Sequence, residues 1–532
     1  MENLENQKKK MDRIPQTTSL ADLFRWRIKQ SPDNVAFKFL DKETSYQDFD
    51  AAANKVAQGL IAGGCKAHAR VAYLDKNSDY YFEFVYGTLK SRTVSVAINW
   101  RLAAPEVAFV LNDSESEILF VGPEFYELVK QIENEIPKVR KIVTLADSDG
   151  DWESYKTWRD RQENIDPMLA SEADDDVFVM YTSGTTGLPK GAQLTSANML
   201  SAASTVDQAW CKDWHEGSVN LICMPVFHVA GGVYAALGAI FGCKNIVIKE
   251  VDPGLILQLI ESEKIELALF VPAVILFLLQ HPESSETDFT SLRQVVYGAS
   301  PIAEDTLVKA IETMQCDFWQ VYGLTENCGM GTVMAPEYHD PAKGKLRSCG
   351  QPYPGVEIKI VDTDNNRLGV GEVGEILIKS GTVMKGYLNR PEATAEAIVD
   401  DWFFTGDAGF FDADGFLFIH DRVKDMIISG AENIYPAEVE NALMSHPQIL
   451  DAAVVGIPDE KWGETVMGFV ILAEDASISE DEIIDYSREK IAGFKCPKTI
   501  KFINEIPRNP TGKVLRRELR EPYWKGKKRN IS

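Results

Sequence analysis

Up to about residue 420, short β-branched or aromatic runs alternate with longer amphipathic stretches. Val177–Tyr181, Ile246–Ile248, Leu267–Val271, Gln294–Tyr297 and Asp317–Tyr322 are of strand length, and the segments between them are of helix length. This is the α/β rhythm. After Gly350 the texture becomes strand-rich, with Val356–Val361, Gly374–Ile378, Trp402–Phe404 and Phe416–Ile419. Asp414-Gly415 before the last run predicts a hairpin, and the region a small β-subdomain. From Asp425 a fresh unit begins: a helix over Pro436–Met444, strands at Ala452–Gly456 and Val466–Leu472, a helix over Ser479–Ile491 and a strand at Thr499–Ile503.

The chain has 532 residues, more than one compact core holds, since domains run to about 250 residues before they split. The expected fold class is α/β. A large N-terminal domain, residues 1–423, of layered α/β subdomains plus the small β-subdomain is followed by a smaller C-terminal α/β domain, residues 424–532. Two stretches, Asp362-Thr-Asp364 and Asp412-Ala-Asp414, imitate calcium loops, but Val373 and Val423 stand where a bidentate Glu is required. They read as turns.

A formal net charge of −25 argues against a general nucleic-acid surface. An anionic ligand must find a local basic site, and Lys513–Arg529 offers eight Lys/Arg. The eight cysteines are scattered without a CxxC pair, as free thiols of a reducing cytoplasm are. Lys8-Lys9-Lys10 is followed by no apolar signal core, and Asn530-Ile531-Ser532 is not a peroxisomal address. Gly217–Cys243 carries no charged residue and is long enough to cross a bilayer, but Pro225, His228 and Gly231-Gly232 break a spanning helix. The segment reads as buried core, and no transmembrane segment is expected.

The apolar strand ending at Tyr181 runs straight into Thr182-Ser183-Gly184-Thr185-Thr186-Gly187-Leu188-Pro189-Lys190-Gly191. Glycines for close backbone approach, hydroxyl donors and one lysine are what a triphosphate cradle needs. It is not the common P-loop, because Lys190 is followed by Gly191 and a short strand to Leu194, with a helix starting only at Thr195.

With this loop the chain resembles the adenylate-forming superfamily of acyl-CoA synthetases, beetle luciferases and nonribosomal-peptide adenylation domains, over nearly its whole length. Four further segments stand in the family's order. The resemblance implies that Tyr322, in Gln320-Val-Tyr322-Gly323-Leu-Thr325-Glu326, lies against adenine, that Thr325 contacts the α-phosphate, and that Glu326, with Thr182, holds Mg²⁺. Gly298-Ala299-Ser300-Pro301 would let the flat purine pack on the backbone. Asp407, in Thr405-Gly406-Asp407, would accept hydrogen bonds from the ribose, supported by Arg422. Lys513, in Pro510-Thr-Gly512-Lys513, would be the catalytic lysine of adenylation, leaving Lys525–Arg529 as solvated tail.

The family's second step, thiol attack on the acyl-AMP, implies a mobile C-terminal domain that rotates about Lys424. The rotation would withdraw Lys513 and bring up Ser429-Gly430-Ala431, where Gly430 would flank the pantetheine arm of coenzyme A; many relatives have glycine at the position of Ala431. Lys495 is a further candidate for CoA phosphate. His228, in Pro225-Val-Phe227-His228, matches a histidine at the mouth of the acyl pocket. The small Gly231 and Gly232 suggest an open apolar channel, and hence a medium- or long-chain fatty acid.

The expectation is therefore an AMP-forming acid–thiol ligase with ATP, Mg²⁺ and CoA, a small carboxylic acid as partner and a homodimer as a further reading. Rival readings are an aryl-acid–CoA ligase, an adenylating enzyme that loads a carrier protein, and a luciferase-type oxygenase. No carrier domain follows Lys513, which favours free CoA. A non-catalytic nucleotide sensor would have lost Lys513 or Glu326.

Overall fold

A computed structural model of the chain describes residues 13–146, 151–182, 189–422, 425–429, 432–459, 462–473, 476–508 and 514–525. Two compact units emerge, Met1–Glu357 with Ile378–Phe403, and Ile358–Leu377 with Phe404–Ser532. The division falls earlier than the pattern change at residues 423 and 424, because the β-rich stretches 358–377 and 404–422 gather with the second unit.

The first unit holds two sheets among the described residues. One runs in the order Gly386–Tyr387, Lys190–Thr195, Asp176–Thr182, Val94–Ala97, Arg70–Leu74, Ile118–Val121, Lys141–Thr144 and Glu153–Ser154. It is parallel from Asp176–Thr182 onward and antiparallel at the Lys190–Thr195 edge. The other runs from Gln351–Pro352 through Thr332–Met334, Asp317–Tyr322, Gln294–Gly298, Leu267–Phe270, Val219–Ile222 and Lys244–Val247 to Val35–Phe39 and Lys42–Ser45.

The helix Asp79–Ser91 lies between these sheets, and only Tyr80 of it escapes burial. Phe82 stacks on Phe37 of the second sheet at 4.2 Å, while Tyr81 meets Tyr73 of the first edge to face at 5.2 Å. A helix buried on all sides must have its apolar residues covered and its charges paired: the two sheets cover it, and Asp79, Glu83 and Lys90 pair with Lys42, Arg159 and Asp50. Truncating such a ring, as in Phe82→Ala, costs about 3–5 kcal/mol.

Parallel strands place their ligands beyond their carboxyl ends. Thr182, Gly298 and Tyr322 end three such strands, and His228 follows a fourth, Val219–Ile222. The charge-free stretch also behaves as expected: Val229–Ile240 is a helix buried from Gly231 onward, and no helix among the described residues is long and apolar enough to cross a membrane.

A sheet with most of its residues in the second unit runs Glu357–Val361, Gly374–Lys379, Trp402–Phe411, with Leu417–Arg422 antiparallel to the last. Both calcium-like stretches are turns. Asp362 accepts from the backbone N–H groups of Asp364 and Asn366, each at 2.9 Å, and Asp412 from those of Asp414 and Phe416 at 3.0 and 2.8 Å.

A further sheet, Glu432–Ile434, Ile427–Ser429, Gly463–Leu472, Ile449–Asp459, also takes Thr499–Phe502. Its two-residue alternation sends Ala452 and Val454 toward helices Pro436–Met444 and Glu480–Lys490, and Ala453 and Val455 toward Leu519 and Tyr523 of helix Arg516–Trp524. The start of the basic C-terminal stretch is thus a packed helix. Lys525 is exposed, and residues 526–529 lie outside the described residues.

Candidate active site

The candidate phosphate loop joins two paired strands. Thr182 stands opposite Lys190 and Tyr181 opposite Gly191 in the antiparallel register, so the glycine-rich stretch leaves and re-enters the sheet at one point. Ser183, Gly184, Thr185, Thr186 and Gly187 lie outside the described residues. Thr195 ends the return strand and caps helix Ser196–Asp207 by accepting from the Asn198 N–H, as the residue pattern predicts.

The base of the loop is fixed from below. The Tyr181 hydroxyl donates to Asp113 Oδ2 at 2.8 Å, and Arg390 pairs with the other oxygen of Asp113. Burial, with the neighbouring Asp113 charge, pushes the Tyr181 hydroxyl well above its ordinary range, so it stays a donor.

Glu326 sits in the short 3₁₀ turn Thr325–Asn327 that follows Tyr322. Gly323 is forced by packing, since a Cβ there would stand 2.2 Å from the Gly329 carbonyl carbon. Asn327 holds the turn by accepting from the Leu324 N–H at 2.7 Å, and the Glu326 carbonyl accepts from Met384 N–H at 2.7 Å. Glu326 is 8% exposed, which puts a charge close to the interior unless something answers it. Tyr387 donates its hydroxyl to Oε1 at 2.8 Å; among the described residues Oε2 accepts nothing. The face of the same Tyr387 ring lies 5.0 Å from Lys190 Nζ. A carboxylate with one oxygen engaged is the hard donor Mg²⁺ takes, and the Thr182 hydroxyl is an oxygen of the same kind. These residues fit the metal that the resemblance implies.

Gly298 closes the strand beside Val321, and a Cβ there would stand 2.2 Å from the Val321 carbonyl oxygen. The glycine is therefore required by strand packing, independently of any purine. Ala299 follows with φ +69°, a left-handed conformation that costs a residue with a side chain about 1 kcal/mol or more. Ser300 and Thr325 are half-buried, and Tyr322 is buried.

His228 caps helix Val229–Ile240, its Nδ1 accepting from the Ala230 N–H at 3.3 Å. The loop before it is gripped from two sides. Fully buried Asn77 donates to the Met224 and Ile248 carbonyls at 3.0 and 3.2 Å and accepts from Val226 N–H at 3.0 Å. On the other side, Cβ atoms on Gly231 and Gly232 would stand 2.1 Å from the Pro225 oxygen and 2.6 Å from the Val226 oxygen. These glycines answer a close helix–loop approach, so their smallness is not a measure of channel width.

The second unit carries the remaining candidates. Asp407 is buried, and the turn before it is held by Thr405, whose hydroxyl donates to the Ile376 carbonyl at 2.7 Å and accepts from Asp407 N–H at 3.1 Å. Gly406 has φ +70° and donates to Glu375, whose carboxyl is raised first by burial and then by the Asp407 charge. Asp407 and Arg422 are direct cross-strand partners. Ser429 pairs with Glu432, while Lys495 is held by both oxygens of Glu438 at 2.7 and 2.8 Å. Lys424, Gly430, Ala431 and Lys513 lie outside the described residues. On either side of the segment that ends in Lys513, Arg508 bridges to Val514 and Leu515 N–H donates to the Pro507 carbonyl at 2.8 Å.

Tyr387 and Asn77 were not visible as site residues in the sequence. Each is a neutral side chain in an unremarkable context, and only the Gly386-Tyr387 pair just ahead of the helix-starting Pro391 marks a local turn.

Known proteins share the sequence and the fold of this chain. The AMP-binding enzyme family matches residues 24–388, and the AMP-binding enzyme C-terminal domain matches residues 438–513. A long-chain-fatty-acid–CoA ligase of Mycobacterium tuberculosis is 38% identical over 94% of this chain and 98% of its own. A fatty acid–acyl-carrier-protein ligase of Streptomyces coeruleorubidus is 37% identical over 98% of this chain and all of its own. Among solved structures, the o-succinylbenzoate CoA synthetase of Bacillus subtilis, in complex with its acyl-adenylate intermediate, has a TM-score of 0.83 at 29% identity, covering 93% of this chain and 97% of its own. The chain belongs to the AMP-binding, adenylate-forming enzyme family. It is an AMP-forming acid–thiol ligase that works with ATP and Mg²⁺.

Proposed function

We propose that the chain activates a hydrophobic carboxylic acid, a medium- or long-chain fatty acid, as acyl-AMP and passes the acyl group to coenzyme A. The observation that carries the substrate class is the 38% identity, over 94% of the chain, to a long-chain-fatty-acid–CoA ligase. The acid carboxylate is already a nucleophile at neutral pH and attacks the α-phosphorus of ATP directly, so no activating base is required.

Each residue then has a definite task. Thr182 and the hydroxyls of the loop hold the departing phosphates, with Lys190 as their point charge. Thr325 donates to the α-phosphate. Lys513 stabilises the charge that spreads over the α-phosphate and attacking carboxylate in the transition state. Mg²⁺, held by Glu326, would neutralise the leaving pyrophosphate. Tyr322 and the Gly298–Ser300 backbone take the adenine, Asp407 and Arg422 the ribose, and His228 the mouth of the acyl channel. For the second step the domain 424–532 turns about Lys424, replacing Lys513 with Ser429, Gly430 and Ala431 beside the pantetheine arm.

None of the eight cysteines, all of them among the described residues, forms a disulfide, which supports a cytoplasmic setting. A homodimer is included in this reading, and light scattering of the purified chain checks it.

Relatedness to the acyl-carrier-protein ligase, 37% identical over 98% of the chain, favours one alternative acceptor, a carrier-protein pantetheine. The deciding experiment measures AMP release from a panel of fatty and aryl acids with CoA, with a loaded carrier protein, and with neither. CoA-dependent release on fatty acids is expected. Release that needs the carrier and ignores CoA overturns the acceptor, and preference for aryl acids overturns the substrate class.

A further inference from the structure

Two charged candidates from distant parts of the chain, Lys190 and Glu326, share one neutral neighbour. Tyr387 puts its ring face 5.0 Å from the lysine ammonium and its hydroxyl 2.8 Å from the carboxylate Oε1. The tyrosine itself is well fixed. Its backbone pairs with Ala192, its N–H donates to Thr394 Oγ1 at 2.9 Å, and the next N–H, of Leu388, donates to the Gly191 carbonyl at 2.8 Å. Two residues further on, Asn389 donates to the Asp113 carbonyl at 2.9 Å, and Asp113 is also the anchor of Tyr181. One short segment therefore ties both ends of the phosphate loop to the turn that carries Glu326.

The chemistry of the bridge matters. A phenol hydroxyl orients a carboxylate without neutralising it, whereas an arginine or lysine at this place would compete with a cation for the same charge. An aromatic face attracts an ammonium much more weakly than a phosphate does, so it holds Lys190 near its task without removing it from use. Among the described residues Lys190 has no carboxylate partner.

We propose that Tyr387 is the positioning residue of the nucleotide half-site: its hydroxyl orients Glu326 toward the metal, and its ring holds Lys190 ready for the outer phosphates. The proposal rests on the reading of Glu326 as the metal carboxylate and Lys190 as the phosphate holder.

The test uses the full chain with Mn²⁺ as a spectroscopic probe, titrated by electron paramagnetic resonance in the presence of α,β-methylene-ATP, which cannot be cleaved at the α-phosphate. Tyr387→Phe is expected to weaken Mn²⁺ binding by about 10- to 100-fold, the usual cost of losing an outer partner of a metal ligand, while binding of the metal-free analogue stays within about twofold. Tyr387→Leu is expected to weaken metal-free analogue binding as well, by about two- to fivefold, the worth of an exposed cation–π contact. In a Glu326→Gln background, Tyr387→Phe is expected to add little, because its action runs through that carboxylate.

Three results overturn the proposal. Unchanged Mn²⁺ affinity in Tyr387→Phe while Glu326→Gln loses it removes the positioning role alone. Unchanged affinity in both variants removes the metal reading beneath it. Full additivity of the two substitutions, with a lowered melting temperature in Tyr387→Phe, reduces the tyrosine to packing.

Discussion

Lys190 and Lys495, both candidate phosphate contacts in the sequence, are treated in opposite ways by the two units that hold them. Lys190 rests on the Tyr387 ring with no carboxylate partner among the described residues, whereas Lys495 is clasped by both oxygens of Glu438. The contrast extends beyond these two. Around the candidate site the first unit has the ion pair of Arg390 with Asp113 under the loop, but its direct braces on the candidate residues are neutral: Asn77 on the His228 loop, Tyr387 on Glu326, Tyr297 on His339. The small domain fastens its elements with ion pairs, Arg516 to Glu440, Arg508 to Asp451 and Arg520 to Asp425. Neutral bracing leaves site charges unspent for a ligand. Ion pairing spends them on the fold.

The strongest way to break this comparison lies in the residue it does not reach. Lys513→Ala is expected to lower acyl-AMP formation, read as pyrophosphate exchange, by about 10³-fold, the upper range for one lost transition-state donor. Thioester formation from synthetic acyl-AMP should change little. Equal loss of both half-reactions would refute the assignment. Next in size is Lys190→Ala, expected to raise the KM for MgATP about tenfold or more through the lost charge-assisted hydrogen bonds, with the KM for the acid unmoved. A shift confined to the acid would show that Lys190 is not free for phosphate.

Much of the fold was legible because apolar periodicity and turn residues agree. Asp317–Tyr322 and Pro436–Met444 were placed to the residue, and Thr195 was placed as a helix start. The charged candidates stand out for a related reason, since Lys190 and Glu326 each lie beside a glycine-bearing strand end. Asn77 and Tyr387 act through single hydrogen bonds to segments distant in sequence, and no local pattern encodes such partners. Glycines carry a second constraint. Gly298, Gly231 and Gly232 read as openings for ligand, yet each is met by a carbonyl oxygen of the protein itself.

Asn77→Ala tests the neutral bracing. The substitution leaves the Met224 and Ile248 carbonyls and the Val226 N–H without their partner. Unpaired buried groups cost about 1–3 kcal/mol each before relaxation or water entry, so a loss of about 2–3 kcal/mol in stability is expected. Because the loop leads into His228, the KM for the acid should rise several-fold more than that for ATP. An equal rise in both would make Asn77 a general core residue.

A smaller effect is expected from His339, which borders the strand leading to Gly298. Burial lowers its pKa from 6.5 to about 4, and Nδ1 faces the Ala335 carbonyl while Nε2 faces the Tyr297 hydroxyl. The neutral ring is the folded form. Its contribution is complete above pH 6.5 and is lost as pH falls toward 4, about 2 kcal/mol between pH 7 and pH 5 by linkage. His339→Asn should therefore flatten that part of the stability profile. An unchanged slope would assign the acid sensitivity elsewhere.

The smallest effect sharpens the comparison most. If Glu438 holds Lys495 for the fold, Lys495→Ala removes a partly exposed ion pair worth about 0–1 kcal/mol. The KM for CoA should then rise less than about threefold, because binding a phosphate would first require breaking the Glu438 pair. Glu438→Gln separates the two roles. Releasing the lysine should lower the KM for CoA if Lys495 is a phosphate contact kept in reserve, and leave it unchanged if the pair is purely structural. A tenfold loss in Lys495→Ala would show that a clasped lysine still serves the ligand, and that spent and unspent charge is not what separates the two units.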